Sequence, residues 1–289
     1  MSTLVVRSLT ASDGYRIAFR HWTAAQPRGI VIPLHGIQSH SGWYEYSSQR
    51  MCDAGYSVYF ADRRGSGVNG YRRGHAPHAM RLINDVRALM QLAALECVGV
   101  DGQPLPVTLM GISWGGKIAA ALAALFPDEL QALALLYPGL EPRIKPTWWQ
   151  LRKLQFAETF EVLRSDIPVP LKDTRLFTGQ PEWQKFIEDD PLALHTVTSG
   201  LLNSGLQLDR LLKAHAQNSR HPSLLMLAGN DDIVDNVRTR ARINLLGSRH
   251  QTTLVYEHAR HTLEFEPNRD QIFSDLIQWL DQHASAEAA

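Results

Sequence analysis

The chain has 289 residues, 44% hydrophobic and 20% charged, which suits one α/β domain carrying an insertion and excludes general disorder. Lys+Arg and Asp+Glu number 29 each, so the balance is zero and gives no electrostatic reason to expect nucleic acid or an anionic membrane surface as the main partner. Cys52 and Cys97 have neither metal-type spacing nor a disulfide framework and read as buried thiols; with no signal-peptide pattern and no run near the roughly 18 apolar residues of a bilayer span, a soluble cytoplasmic protein is expected.

TLVVRSL and YRIAFRHW flank the turn residues ASDG and predict an opening hairpin. RGIVIPLHG reads as a buried strand running into a loop, residues 43–54 as a helix, and YSVYFAD as the next strand. From Pro77 to Cys97 the spacing of Met80, Ile83, Val86, Met90, Ala93 and Cys97 predicts an amphipathic helix, with Pro77 suited to its first turn. LPVTLMG (strand), GKIAAALAALF (helix) and LQALALLYPG (strand) follow. Two further strands, SLLMLAG and TTLVYE, are separated by a helix over 236–246 that ends at Gly247. Beyond Pro267 a last helix carries Phe273, Leu276, Trp279 and Leu280 on one side. Strands alternating with helices imply a mostly parallel sheet covered on both faces.

The rhythm breaks between Leu140 and Asn218, where no buried strand is evident. A connection of that length is far too long for a loop, so it reads as a mostly helical cap inserted between core segments 1–139 and 219–289. Its aromatics, Trp148, Trp149, Phe156, Phe160, Trp183 and Phe186, are expected to form mostly the cap's own core.

GISWG, Gly111 to Gly115, stands where a strand turns abruptly into a helix. G-x-S-x-G arises by chance in a chain this long about one time in ten, so its weight comes from that placement. Small residues two positions either side of such a turn let strand and helix backbones approach, and the turn exposes the Ser113 hydroxyl at the carboxyl end of a strand, where open α/β sheets bind ligands. A serine nucleophile needs a base, and the base an orienting carboxylate. After SLLMLAG come Asp231, Asp232 and Asp235; after TTLVYE come His258 and His261. The order Ser, Asp, His is therefore present, each type at the end of a predicted strand.

LHGIQSHSGWYEYSSQRM, DRRGSG, GISWGG, and AGNDDIVDN with ARHTLEFE together resemble the α/β-hydrolase-fold serine hydrolases, in particular their monoacylglycerol lipase and lysophospholipase branch. The resemblance covers both core segments and implies an α/β-hydrolase fold with a helical cap. It maps the triad acid to Asp231, the first residue of DDIVD, with Asp232 the alternative, and the base to His261 rather than His258. It maps the oxyanion donors to the backbone N–H groups of Ile37 and Trp114 and leaves His35 shaping the HG loop. What it implies is an ester hydrolase acting on monoacylglycerols, lysophospholipids or other acyl esters, with no cofactor and no metal.

DRRGSG lacks the Lys-Ser/Thr ending of a phosphate-binding P-loop and reads as a structural turn, and HAPH (His75, His78) has no obvious third metal ligand. C–C bond hydrolases, amidases, aminopeptidases and acyltransferases share the fold and the serine, and a non-catalytic binder on this fold is the remaining alternative. The expected partner is a small acyl ester, with no integral membrane segment. An apolar cap would serve peripheral lipid contact or self-association equally, so oligomeric state stays open.

Overall fold

The opening hairpin forms as its turn residues predict: β1 (Thr3–Thr10) pairs antiparallel with β2 (Arg16–Thr23). This computed structural model describes residues 3–143 and 167–284. β3 (Gly29–Leu34), β4 (Tyr56–Ala61), β5 (Val107–Ile112) and β6 (Ala132–Leu136) follow. The short β7 (Ile167–Pro168) and β8 (Thr196–Val197) pair only with each other, and β9 (Ser223–Ala228) and β10 (Gln251–Tyr256) complete the strands. The main sheet has eight strands in the order β1-β2-β4-β3-β5-β6-β9-β10. It is parallel from β4 to β10 and antiparallel only at the hairpin edge. Every residue of β3, β5, β6 and β9 is buried, which is why these strands read as continuous apolar runs.

The helices are α1 (Glu45–Asp53), α2 (Ala79–Glu96), α3 (Gly115–Leu125), α4 (Pro181–Asp189), α5 (Ser199–His215), α6 (Asn236–Ile243) and α7 (Arg269–His283). α1 packs with α7 and α2 with α3, covering the two faces of the sheet. Two expected helix ends are corrected. Pro77 lies ahead of α2 rather than in its first turn, because His78 is the N-cap and its Nδ1 accepts the Arg81 N–H at 3.2 Å. The helix before Gly247 stops at Ile243, and Gly247 is no left-handed cap. A Cβ there would strike the Gln217 carbonyl, so this glycine serves a close backbone approach.

α3 is buried on every side from Gly115 to Ala124, as suits a helix apolar all round except at Lys117. Its outer neighbour is α5, from the expected insertion, and the two are joined by Lys117 Nζ and the Asp209 carboxylate at 2.6 and 2.7 Å. Trp148, Trp149, Phe156 and Phe160 lie outside the described residues. Trp183 and Phe186 meet edge-on at 5.6 Å and also reach beyond each other. Trp183 stacks on Phe265 at 4.7 Å and Phe186 meets Trp43 edge-on at 6.2 Å, so both pack on core loops. Among the described residues, no helix is long and apolar enough to cross a membrane.

Candidate active site

Sheet register brings the strand ends to one rim. Leu34 pairs with Gly111, Ile112 with Leu136, Leu136 with Met226, and Ala228 with Tyr256. The residues just beyond these pairs are His35 and Gly36, Ser113, Tyr137, the loop to Asp231, and the loop to His261. Segments far apart in the chain therefore meet because five parallel strands end together.

Ser113 follows β5 with φ 49°, a left-handed conformation that costs a side-chain-bearing residue about 1–2 kcal/mol. The turn is held by the Ser113 N–H donating to Leu136 O at 3.0 Å, and by Ser113 O accepting from the Gly116 and Gly139 amides at 2.9 and 2.6 Å. The flanking glycines are there for space. A Cβ at Gly111 would sit 2.6 Å from Gly116 Cα, and one at Gly115 would run into the Leu34 carbonyl. Strand and helix can thus close up behind a hydroxyl that stays partly accessible.

His261 Nε2 lies 2.9 Å from Ser113 Oγ, and its Nδ1 lies 2.8 Å from Asp231 Oδ2. The Asp231 carboxylate accepts only, so Nδ1 carries the ring proton and Nε2 is left to accept from the serine hydroxyl. Asp231 cannot swing away, because its Oδ1 accepts the Ile233 and Val234 amides at 2.8 and 2.9 Å. The imidazole and carboxylate side chains are 2% and 0% exposed, so this pair is shielded from bulk solvent. The structure leaves the other candidates outside. Asp232 is largely exposed and 3.7 Å from Arg260, Asp235 caps α6 by accepting the Arg238 N–H, and His258 is exposed.

The expected oxyanion donors sit on the HG loop (Ile37) and directly after the serine (Trp114). A Cβ at Gly36 would lie 3.6 Å from Ser113 Oγ, which puts the HG loop alongside the hydroxyl, and Trp114 is the N-cap of α3. Among the described residues neither amide donates to a backbone carbonyl in the turns and loops. His35 shapes the loop: Nδ1 donates to Gly36 O at 2.8 Å and Nε2 accepts the Arg63 N–H at 2.8 Å. Burial, helped by the neighbouring Arg63 cation, pushes this imidazole down to about 3, so it is neutral at physiological pH.

The family described as serine aminopeptidase, S33, has a sequence model that matches residues 25–268. The chain belongs to this family. The chain is 27% identical over 286 residues to a monoacylglycerol lipase of Mycolicibacterium smegmatis, covering 98% of this chain and 99% of that protein. It shares its fold with a carboxyl esterase of Bacillus coagulans, at a TM-score of 0.85, 20% identity and coverage of 98% and 99% of the two chains. A monoglyceride lipase of Saccharomyces cerevisiae solved with a substrate analogue superposes at a TM-score of 0.83, with 21% identity and coverage of 98% and 96%.

Several residues that buttress this constellation carry no motif in the sequence. Tyr137, at φ 36°, meets the His261 ring edge-on at 4.8 Å, and Phe177 meets it at 6.2 Å. The Thr262 N–H also donates to Phe177 O at 2.8 Å, tying the histidine loop to the segment ahead of α4. Arg143 Nε donates to the carbonyls of Asp231 and Val234 at 3.1 and 3.2 Å, bracing the acid loop. Glu264 is fully buried, accepts the Ser47 N–H at 2.9 Å, and is pushed up to about 7 by that burial. The abrupt LLYPG end of β6 was the one available signal for Tyr137; the rest depend on packing that no local pattern announces.

Proposed function

We propose that this chain is a metal-free serine hydrolase cleaving carboxylic esters through an acyl-enzyme, with Ser113 as nucleophile, His261 as base and Asp231 as orienting acid. The observation that carries the reading is the unbroken line from Ser113 Oγ through the imidazole to Asp231, at 2.9 and 2.8 Å, beneath a strained strand-to-helix turn. Ser113 Oγ attacks the ester carbonyl as its proton passes to His261 Nε2; the Ile37 and Trp114 amides receive the oxyanion. The imidazolium then protonates the departing alcohol, and the same nitrogen activates water to release the acid. Asp231 keeps the ring in one tautomer and stabilises its cation without taking the proton.

The substrate class we assign is monoacylglycerols, lysophospholipids or similar acyl esters, in keeping with relatives named monoacylglycerol lipase and carboxyl esterase. Residues 140–218 are taken as the cap, with the core in two parts, 1–139 and 219–289. Cytoplasmic action belongs to the same reading, as does any lipid contact made peripherally through the cap. The test is labelling with a fluorophosphonate probe. Wild type should label and Ser113→Ala should not; undiminished labelling of the variant removes the nucleophile and with it the mechanism.

A further inference from the structure

We infer that Arg63 is a positioning residue that aims both oxyanion donors and keeps a positive charge, unpaired by any carboxylate among the described residues, behind them. This rests on the ester-hydrolase reading and deepens it.

Arg63 follows β4 in the DRRGSG turn and is 8% exposed. Its Nη1 donates to Gly36 O and its Nη2 to Ile37 O, both at 3.0 Å. The guanidinium carbon also lies 4.8 Å from the centroid of the Trp114 ring. One planar cation thus touches the residues that carry the two donors.

Peptide geometry makes the first contact consequential. The Gly36 carbonyl and the Ile37 N–H belong to one planar trans unit, so they point in opposite directions. Arg63 Nη1 and His35 Nδ1 both draw on that carbonyl, at 3.0 and 2.8 Å, which fixes where the N–H on the other side must aim. Hydrogen bonds to a carbonyl also polarise its amide, strengthening the N–H as a donor. The second contact holds the residue bearing the other donor through the face of its ring.

The charge is unusually placed. The nearest acid in sequence, Asp62, has its oxygens engaged elsewhere: Oδ1 accepts the Ser41 N–H and hydroxyl at 2.8 and 2.6 Å, and Oδ2 accepts the Val68 N–H at 2.9 Å. Among the described residues Arg63 itself has only carbonyl acceptors and a π face, and its Nε is buried without a hydrogen-bond partner. Burial lowers the guanidinium to about 10, partly offset by Asp62, so it remains a cation at neutral pH. Buried charge without a counter-ion is costly, and a paired carboxylate would have cancelled the field. An anion forming at the Ile37 and Trp114 amides is the missing counter-charge, and it exists only in the tetrahedral state. That is the condition for an interaction that accelerates reaction rather than merely binding substrate.

The test compares wild type with Arg63→Met and Arg63→Lys, each normalised by fluorophosphonate titration so that only competent sites are counted. On a short p-nitrophenyl ester, Arg63→Met should lose about 100-fold in kcat per titrated site while KM moves less than about threefold. Affinity for phenylboronic acid, whose adduct on Ser113 is an anionic tetrahedron, should weaken by a comparable factor. Arg63→Lys keeps the charge without the paired carbonyl contacts and should fall between. A purely structural role would reduce the number of titrated sites but leave kcat per site and boronate affinity near wild type, and that result overturns the proposal. If Arg63→Met does not fold, Trp114→Leu removes the ring and keeps the amide; it should show the same linked fall in kcat and boronate affinity, and a change confined to KM overturns the proposal. Absence of turnover or of Ser113 labelling in wild type would instead sink the ester-hydrolase reading itself.

Discussion

Two carboxylates one residue apart meet opposite surroundings. Asp231 is enclosed by two backbone amides and the imidazole, whereas the Asp232 side chain is 66% exposed beside Arg260. Asp231→Asn should therefore lower kcat by about 10³–10⁴, as loss of the orienting acid does in comparable triads, while Asp232→Asn stays within about twofold. Similar mild losses in both would count against either as the acid. The corresponding comparison for the base is His261→Ala against His258→Ala, where only the former should abolish ester turnover in a steady-state assay. Glu264 gives a pH-dependent outcome. Its carboxyl titrates near 4.5 in an unfolded chain and about 7 when folded, so the folded state holds the proton more tightly. Stability from this group is thus lost as pH rises from about 4.5 to about 7, by up to about 3 kcal/mol. Glu264→Gln should be about as stable as wild type at pH 4 and progressively more stable by pH 8, as followed by urea midpoints; a difference that does not grow with pH would show that the burial penalty is relieved elsewhere. Ser113 was legible because a lone serine between glycines at a strand–helix junction has few structural reasons to exist. Choosing between Asp231 and Asp232 needed the family motif, since neighbouring acids in one loop carry no local signal of which points inward.

At the level of elements, the site depends on α3 approaching β3 and β5 closely. Gly115→Val would drive its side chain into the Leu34 carbonyl and should cost on the order of 3–5 kcal/mol, with labelling of Ser113 lost in parallel. α5 clamps the outer side of α3. Asp209→Ala would leave the Lys117 ammonium, 9% exposed, without its close carboxylate partner and should destabilise by on the order of 2 kcal/mol, less than for a fully enclosed pair because Asp209 is 24% exposed. Denaturant midpoints with an unchanged m-value would check both. The buried strands were readable from continuous apolar runs, and α2 from its 3–4 spacing. Gly247 suggests a cap for α6, but its actual reason is the close approach to Gln217, 30 residues earlier in the chain. Long-range contacts of that kind leave no periodicity.

For the molecule as a whole, the architecture follows from alternation of strand and helix, and the family match spans most of the chain. What the sequence concealed is how the segment from α4 to β8 meets the loop after β3. Asp190, just after α4, accepts from the Trp43 indole at 2.6 Å and pairs with His40 at 3.0 Å, and the Leu194 N–H donates to Gln38 O at 2.9 Å. These are isolated polar residues with no spacing to connect them. If the substrate is an acyl ester held in an apolar site, kcat/KM on p-nitrophenyl esters should rise by up to about fourfold per added methylene while the chain stays buried. Matched amide substrates should turn over far more slowly; a preference for amides would redirect the reading to peptide-bond chemistry. The two cysteines, Cys52 and Cys97, are both buried, 3% and 6% exposed. The folded protein is therefore close to blank toward maleimide reagents, and a cysteine introduced in place of exposed Glu182 on α4 would give one addressable dye position. Its fluorescence would track this helix against the HG loop during turnover, without stripping any native thiol first.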